Sequence, residues 1–573
     1  MLLKIEKDNL SIIENNELHM ISERNNDIFY YFQGYFFIDN YYYEKEKAVK
    51  YIQDHLNQNI PDIEFIKQLN GIYIYLSFNN KNKELYIFND KICPYQIFYT
   101  FAGESLYISD DFFNLQQFLK ITEFDQLSLI EFISYRFVSG KYTLLKNIFE
   151  LEAGSFYYIN YNKVPTIEKK VWYNYNLSFT IFENKEKELY QIMTNIFLKY
   201  KNCLTDKNIS LNLTAGLDSR FLLGLMLKNS IPFSTYTFGT NRCEEIKYVR
   251  KIKKILKIDS NEYLFDKIDF ISDYYSVDTI KSILLKIGFK TYYRQGYFFA
   301  KPNSNNYKQN DVLITGDNGF LAGLLYKDEI FKLKTFEELS NYLYKSSQFL
   351  PLKEVLRYLN ITEIDFSEAL KKRILEQFDK SNDIYSEYFK WCLLNRERNY
   401  CNRCHNFYSE KSLPIFPFYD DTFYKLMLSL SKEQLKEQKT YINSIYNNLF
   451  IDDLFKLGRI TVDQRGKIGK SLNGNYIFNS KIYKYKYNYL FKLTNKYNLN
   501  TSIIKLPHYL IKKNKKLFKN KINTIISKSK LLNSQFTLLD IYKKPLSFYE
   551  KNLPIIITLI VFETMINDKD LLK

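Results

Sequence analysis

The chain is poor in the residues that stabilise a fold by covalent or metal chemistry. Six cysteines, four histidines and two tryptophans are spread over 573 residues. A disulfide framework is therefore excluded as the main source of stability, and a histidine-built metal centre has few ligands to draw on. No long apolar run occurs: the longest, Leu553 to Phe562, is too short to cross a bilayer. The amino terminus lacks the basic-then-apolar pattern of an export signal. Both absences predict a cytoplasmic protein with reduced thiols that is not an integral membrane protein. Acid is missing locally as well. From Gln464 to Leu539 there is no Asp or Glu, and the 17 Lys and Arg found there equal the whole net charge of +17. Such a stretch suits either a solvated helical face or a surface for an anionic partner, whether acidic glycan, membrane surface, carrier-linked phosphate or RNA. The tyrosines of Tyr483-Lys484-Tyr485-Lys486-Tyr487 could stack on bases or sugars, or lie along one buried face of a strand.

What is present fills cores. With 46% hydrophobic residues, the chain can build two or three domains. Its most informative run is Leu211-Asn212-Leu213-Thr214-Ala215-Gly216-Leu217-Asp218-Ser219-Arg220. Ile209 to Leu213 read as a buried strand, Ala215 and Gly216 let backbone approach an anion closely, and Phe221 to Met226 begin a helix whose N-terminus points at the turn. Thr214 and Ser219 add hydroxyl donors, and Asp218 stands where a phosphate-bound magnesium ion needs an oxygen ligand. A second strand, Phe233 to Phe238, follows after one helix length, then Gly239, the acidic pair Glu244-Glu245 and a helical pattern of Val249, Ile252 and Leu256. Asp311-Val312-Leu313-Ile314-Thr315-Gly316-Asp317-Asn318-Gly319 is another buried strand, ending in a glycine-rich acidic turn. Upstream, Gly71 to Leu76, Leu85 to Asp90, Ile97 to Thr100 and Ser105 to Asp110 are short strands between Asn, Lys and Gly turns, as in a β-sandwich. Cys401-Asn402-Arg403-Cys404-His405 has the spacing of a haem attachment motif. It lies in a helical, arginine-rich stretch, and helix packing is the expectation over haem or zinc.

The run Thr214 to Ser219 resembles the Ser-Gly-Gly-X-Asp-Ser pyrophosphate loop of the ATP pyrophosphatases, and the trailing Arg220 points to asparagine synthetase and its relatives. Thr214 and Ala215 are sterically mild departures. In that family the segment at 315 to 321 reads Ser-Gly-Glu-Gly-X-Asp-Glu and closes over the nucleotide, so the resemblance places adenosine at Thr315 and Gly316 and the acidic base on Asp317. The family's magnesium-binding aspartate falls on Phe320 and the next glutamate on Leu321, neither of which binds a cation. Asp317 could take over one coordination, Asp218 and the phosphates could hold the metal alone, or activity could be weakened or lost. Phe137 to Leu144, Leu151 to Gly154 and Trp172-Tyr173 resemble the segment connecting the family's two domains. Pro417-Phe418-Tyr419-Asp420 resembles its Pro-Phe-Leu-Asp turn, with Leu413 and Ile415 in place of the usual glutamate and arginine. Lys467, or failing it Lys470, lies about where relatives carry a lysine that neutralises departing pyrophosphate. The glutamine-hydrolysing members expose a cysteine after methionine removal and use its own α-amine as base. Here Met1 is followed by Leu2 and the first cysteine is Cys93, so the front domain is expected to be a scaffold without glutaminase chemistry.

The resemblance therefore implies an α/β chain with three parts. Residues 1–190 form an amidotransferase-like β-sandwich, residues 191–470 a doubly wound parallel-sheet domain of the adenine nucleotide alpha hydrolase (PP-loop) type, and residues 471–573 a basic, mostly helical extension. The implied activity is an AMP-forming carbon–nitrogen ligase. ATP with Mg2+ binds at Thr214, Ala215, Gly216, Leu217, Asp218 and Ser219, with Thr315 and Gly316 on the adenosine. A carboxylate is adenylated and passed to ammonia or an amine. The carboxylate could sit on a small molecule such as aspartate, on a glycan uronic acid or on a peptide side chain. An RNA-modifying ATP pyrophosphatase and a non-catalytic ATP-binding relative are the competing readings.

Overall fold

The computed structural model describes residues 1–14, 20–22, 28–56, 62–178, 185–241, 244–265, 270–294, 296–298, 311–317, 326–359, 366–407, 412–449, 467–470, 476–479 and 553–567. The expectations at Phe320 and Leu321, at Tyr483 to Tyr487 and across most of the basic stretch lie outside the described residues.

Two antiparallel sheets make up the front of the chain. One runs in the order Phe149–Glu150, Phe98–Ala102, Ser105–Ser109, Leu2–Glu6, Asn9–Glu14. The other runs Thr166–Val171, Ser155–Asn160, Glu84–Asn89, Asn70–Asn79, Ile28–Ile38, with Met20–Ser22 and Tyr41–Glu44 both paired to the last of these. The central strand shows why they stack. Its side chains alternate between faces with the two-residue period of a strand. Ile72, Ile74 and Leu76 join Leu3, Ile5, Leu106 and Ile108 in the core between the sheets. Tyr73 and Tyr75 join Phe32, Phe36 and Phe88 in a second core, which the helix Lys45–His55 covers with Ala48, Val49 and Ile52. Both faces of this sheet are thus sealed by aromatic and aliphatic area, and its strands read as nearly unbroken apolar runs.

The third sheet is parallel throughout, in the order Ser260–Leu264, Ser234–Gly239, Asn208–Asn212, Asp311–Ile314, Ser412–Ile415. In chain order this is 3-2-1-4-5, so the winding reverses between Asn208–Asn212 and Asp311–Ile314. A crevice opens beyond the carboxyl ends of strands at such a reversal, and open α/β sheets bind their ligands there. Helices cover the sheet, among them Leu217–Lys228 and Glu244–Leu256, whose Val249 and Ile252 are buried as their spacing predicts. The helix Lys185–Cys203 runs across residue 190 and packs on Lys439–Asn448 and Asp421–Ser429. The apolar run Leu553 to Phe562 is an element of the core: the helix Leu553–Asn567 is buried along most of its length. Its Phe562 stacks among Phe112, Phe113 and Phe124 of the front of the chain and Phe289 of the back. Among the described residues no helix is long and apolar enough to cross a membrane.

Candidate functional site

The strand Asn208–Asn212 ends one residue before the turn, and the chain passes through Leu213 to Gly216 into the helix Leu217–Lys228. Gly216 is its N-cap and offers no side-chain acceptor, so the first-turn N–H groups and the helix dipole face whatever enters the crevice. Hydroxyls hold the turn closed. The Thr214 amide donates to Ser219 Oγ at 3.1 Å, the Gly216 amide donates to Thr214 Oγ1 at 3.1 Å, and the two hydroxyls lie 3.0 Å apart. Arg220 is fully buried and its Nε donates to the Gly216 carbonyl at 3.2 Å, bracing the turn from below. Ala215 and Leu217 are buried, whereas Thr214, Gly216 and Asp218 are partly open. The Asp218 carboxylate accepts a 2.7 Å bond from the Tyr441 hydroxyl on the helix Lys439–Asn448.

The second turn comes from the neighbouring strand across the reversal. Thr315 donates its amide to Ile415 O, and its hydroxyl donates to Asp317 Oδ2 at 2.6 Å, fixing the orientation of that carboxylate. Gly316 touches the first turn directly. A Cβ there would lie 3.0 Å from Ser219 N and 3.3 Å from Ser219 Cα, so any larger residue would push the two turns apart by a few tenths of an ångström. The turns Thr214 to Ser219 and Thr315 to Asp317 therefore lie against each other.

Behind it stands the Pro417–Tyr419 turn. Phe418 packs on Phe221 and on Tyr441, the residue that bonds Asp218. Asp420 caps the helix Asp421–Ser429 through the Thr422 amide and also receives Asn70 at 2.8 Å and Lys199 at 3.1 Å. Burial alone would raise the Asp420 pKa, but Lys199 and Thr422 bring it below the usual carboxylate range. Lys91 reaches Asp421 at 2.5 Å, so the turn ties the sandwich to the parallel sheet.

Lys467 begins the strand Lys467–Lys470, which pairs with Tyr476–Asn479; that second strand packs on the Tyr441-bearing helix. Cys401 and Cys404 fall on a π-helical and a 3-10 turn, Cys392–Cys401 and Asn402–Phe407. Burial pushes both thiols above their ordinary pKa. Among the described residues, no group of three or more His, Cys, Asp or Glu could hold a metal.

Sequence reading missed what that stretch does. Arg403 and Arg398 are buried and converge on Glu150: Arg403 Nη2 lies 2.5 Å from both carboxylate oxygens and Arg398 Nη2 lies 3.0 Å from one. Lys290, also buried, completes the set at 3.1 Å. Burial works against the Glu150 charge, yet the three cations hold its pKa down at about 2. Lys290 is itself lowered to about 8, by burial first and by the two arginines beside it. The alternating arginines of Arg396-Glu397-Arg398 were the available signal, but helical periodicity alone does not distinguish a solvated face from a buried network.

No family model matches the sequence, and no curated protein matches it. Among solved structures it is similar to glutamine phosphoribosylpyrophosphate amidotransferase from B. subtilis complexed with ADP and GMP, at 10% identity over 38% of this chain and a TM-score of 0.18. It is similar also to the allosteric regulatory enzyme of purine biosynthesis, at 8% identity over 43% of this chain and a TM-score of 0.19. NMN synthetase from Francisella tularensis is similar at 13% identity over 38% of this chain and 95% of its own, with a TM-score of 0.19. The chain spans 47% and 61% of the first two proteins.

Proposed function

We propose that this chain is an asparagine-synthetase-like ATP-dependent ligase that adenylates a carboxylate and passes the acyl group to ammonia or an amine. The observation that carries the reading is the contact between Gly316 and the backbone at Asp218 and Ser219, which joins a phosphate-type turn and an acidic turn at the sheet's reversal point. Thr214, Ser219 and the first-turn amides cradle the pyrophosphate of ATP, and Thr315 and Gly316 flank the adenosine. A carboxylate attacks the α-phosphorus, the bond to pyrophosphate breaks, and pyrophosphate leaves with the electron pair. Asp317 takes a proton from the incoming amine, which displaces AMP from the acyl-adenylate. Asp218 fits a magnesium ion, because this cation is held by one or two carboxylates and the substrate's phosphates and needs no cage of protein ligands. When bound, it neutralises phosphate charge. Lys467 supplies a further cation to departing pyrophosphate. The acceptor is a uronic acid on a glycan, a peptide side chain or a small acid such as aspartate. Residues 1–190 act as a scaffold, residues 191–470 carry the chemistry and the basic extension from 471 meets an anionic partner.

The test is carboxylate-dependent exchange of labelled pyrophosphate into ATP across a panel of uronic acids, aspartate and acidic peptides. Exchange with one class and not the others identifies the acceptor. Absence of exchange with every class, together with intact ATP binding, would favour a non-catalytic ATP-binding protein.

A further inference from the structure

A cleft lies between the edge strand Thr166–Val171, which lends it Lys169 and Val171, and the helix Ile384–Trp391 with its π-helical continuation. Its volume is about 90 Å³, and it shares Val171, Tyr175, Gln377 and Lys390 with an outer basin of about 370 Å³. No residue of the turns Thr214 to Ser219 or Thr315 to Asp317 lines either one. The inner cleft offers donors. Trp391 is 3% exposed, and its indole N–H has no hydrogen-bond partner. Arg398, one helical face along, is equally buried; its Nε donates to Cys93 O and its Nη2 to Glu150 and Leu151 O, which leaves Nη1 uncommitted. Between them Asn395 donates to Gln377 at 2.9 Å and fixes the wall. Lys390 and Lys169 line the same cleft, each with one carboxylate partner, Glu387 at 2.8 Å and Glu152 respectively. Glu152 is the single acid among the lining residues. Deeper, Glu150 divides its charge among Arg398, Arg403 and Lys290, while Arg373 pairs with Glu131 and Asp125 without lining the cleft.

A buried donor without a partner costs free energy unless an acceptor reaches it. An oxyanion answers the indole, the guanidinium and the ammonium groups together and strengthens each bond by its charge, whereas a water molecule has two lone pairs to offer. The basin is of another kind. Trp172, Tyr173 and Tyr175 line it beside the amides of Asn174, Asn176 and Asn382, and its acid, Asp379, is held by Ser381. Amides both donate and accept, as hydroxyl groups require, and the rings supply apolar area for the C–H faces between them. We propose that cleft and basin bind an acidic sugar, with its carboxylate or phosphate against Trp391, Arg398 and Lys390 and its hydroxylated ring in the basin. The site stands apart from the adenylation chemistry and does not depend on it.

The two tryptophans of the chain, Trp172 and Trp391, both line this passage, so intrinsic fluorescence reads its occupancy directly. The full chain, without nucleotide, is titrated with glucuronate, glucose 6-phosphate, glucose and inorganic phosphate. Glucuronate or glucose 6-phosphate should give a saturable change at an affinity at least about tenfold above that of glucose, which lacks the charged group. The stronger of the two acids identifies the anion that the cleft prefers. Trp391→Phe, read through Trp172, removes the indole donor and should weaken binding about tenfold. Lys169→Gln alters a partly exposed residue, keeps the fold and should weaken it several-fold. No saturable response to either acid overturns the proposal. So does glucose or inorganic phosphate binding as tightly as the acids, or parental affinity in both variants.

Discussion

Replacing Glu150 by Gln removes the carboxylate on which the buried Arg398, Arg403 and Lys290 converge. Breaking a buried ion pair from one side costs about 3 to 5 kcal/mol, because the remaining charge cannot return to water. Here three cations are stranded. Lys290 relieves part of the penalty: its pKa, already about 8, falls further without Glu150 and it gives up its proton at neutral pH. The expected loss is therefore near the lower bound, about 3 kcal/mol. Lys290→Met should behave differently, because both arginines still face Glu150 and the cost of burying an ammonium disappears. A fall from 10.5 to about 8, at about 1.4 kcal/mol per pH unit, puts that cost at about 3 kcal/mol. The sign follows from proton counts. Between pH 8 and 10.5 the unfolded chain holds more protons at this lysine than the folded one, so stability rises with pH across that window. Below it the two states are equally protonated and the contribution is flat. Urea denaturation followed by the fluorescence of the buried Trp172 and Trp391, at pH 7 and pH 9.5, should show Glu150→Gln strongly destabilised and Lys290→Met at least as stable as the parent at pH 7. The stability gained by the parent from pH 7 to pH 9.5 should shrink in Lys290→Met. Glu150→Gln within about 1 kcal/mol of the parent, or Lys290→Met as damaging as Glu150→Gln, would refute the reasoning.

Asp218→Ala should lower pyrophosphate exchange at least about a hundredfold, a barrier increase of about 3 kcal/mol, and exchange at the parental rate would remove the turn from the active site. Phe562→Ala empties a fully buried position between four aromatic rings and should cost about 3 to 5 kcal/mol, seen as a lower thermal midpoint. Gly316→Ala places a methyl 3.0 Å from Ser219 N, so ATP affinity measured by titration should fall with the fold intact. Incubation with glutamine should release no glutamate, with or without ATP; release at the rate of an authentic amidotransferase would end the scaffold reading of residues 1–190.

How far the sequence reached follows from the range of the forces involved. Strands and turns are local: Gly71 to Leu76, Leu85 to Asp90 and Asp311 to Ile314 carry their period and their turn residues within a few positions, and each lies inside or within one residue of an observed strand. The turn from Thr214 to Ser219 was legible for the same reason, since backbone, hydroxyls and helix N-terminus lie within six residues. The strand Ile28–Ile38 was missed, because Tyr and Phe on both faces leave no alternation to read. The apolar run at Leu553 revealed only its length. Its place among Phe112, Phe113, Phe124 and Phe289 depended on residues more than 260 positions away. The sequence by itself determined which of these segments become strand, turn and helix, because those choices rest on contacts between near neighbours. Only the tertiary structure decided that Glu150 meets two arginines about 250 positions later and that Tyr441 reaches Asp218. Pairing of charges and hydroxyls in a dry interior depends on where folded elements meet, and no local pattern of residues records it.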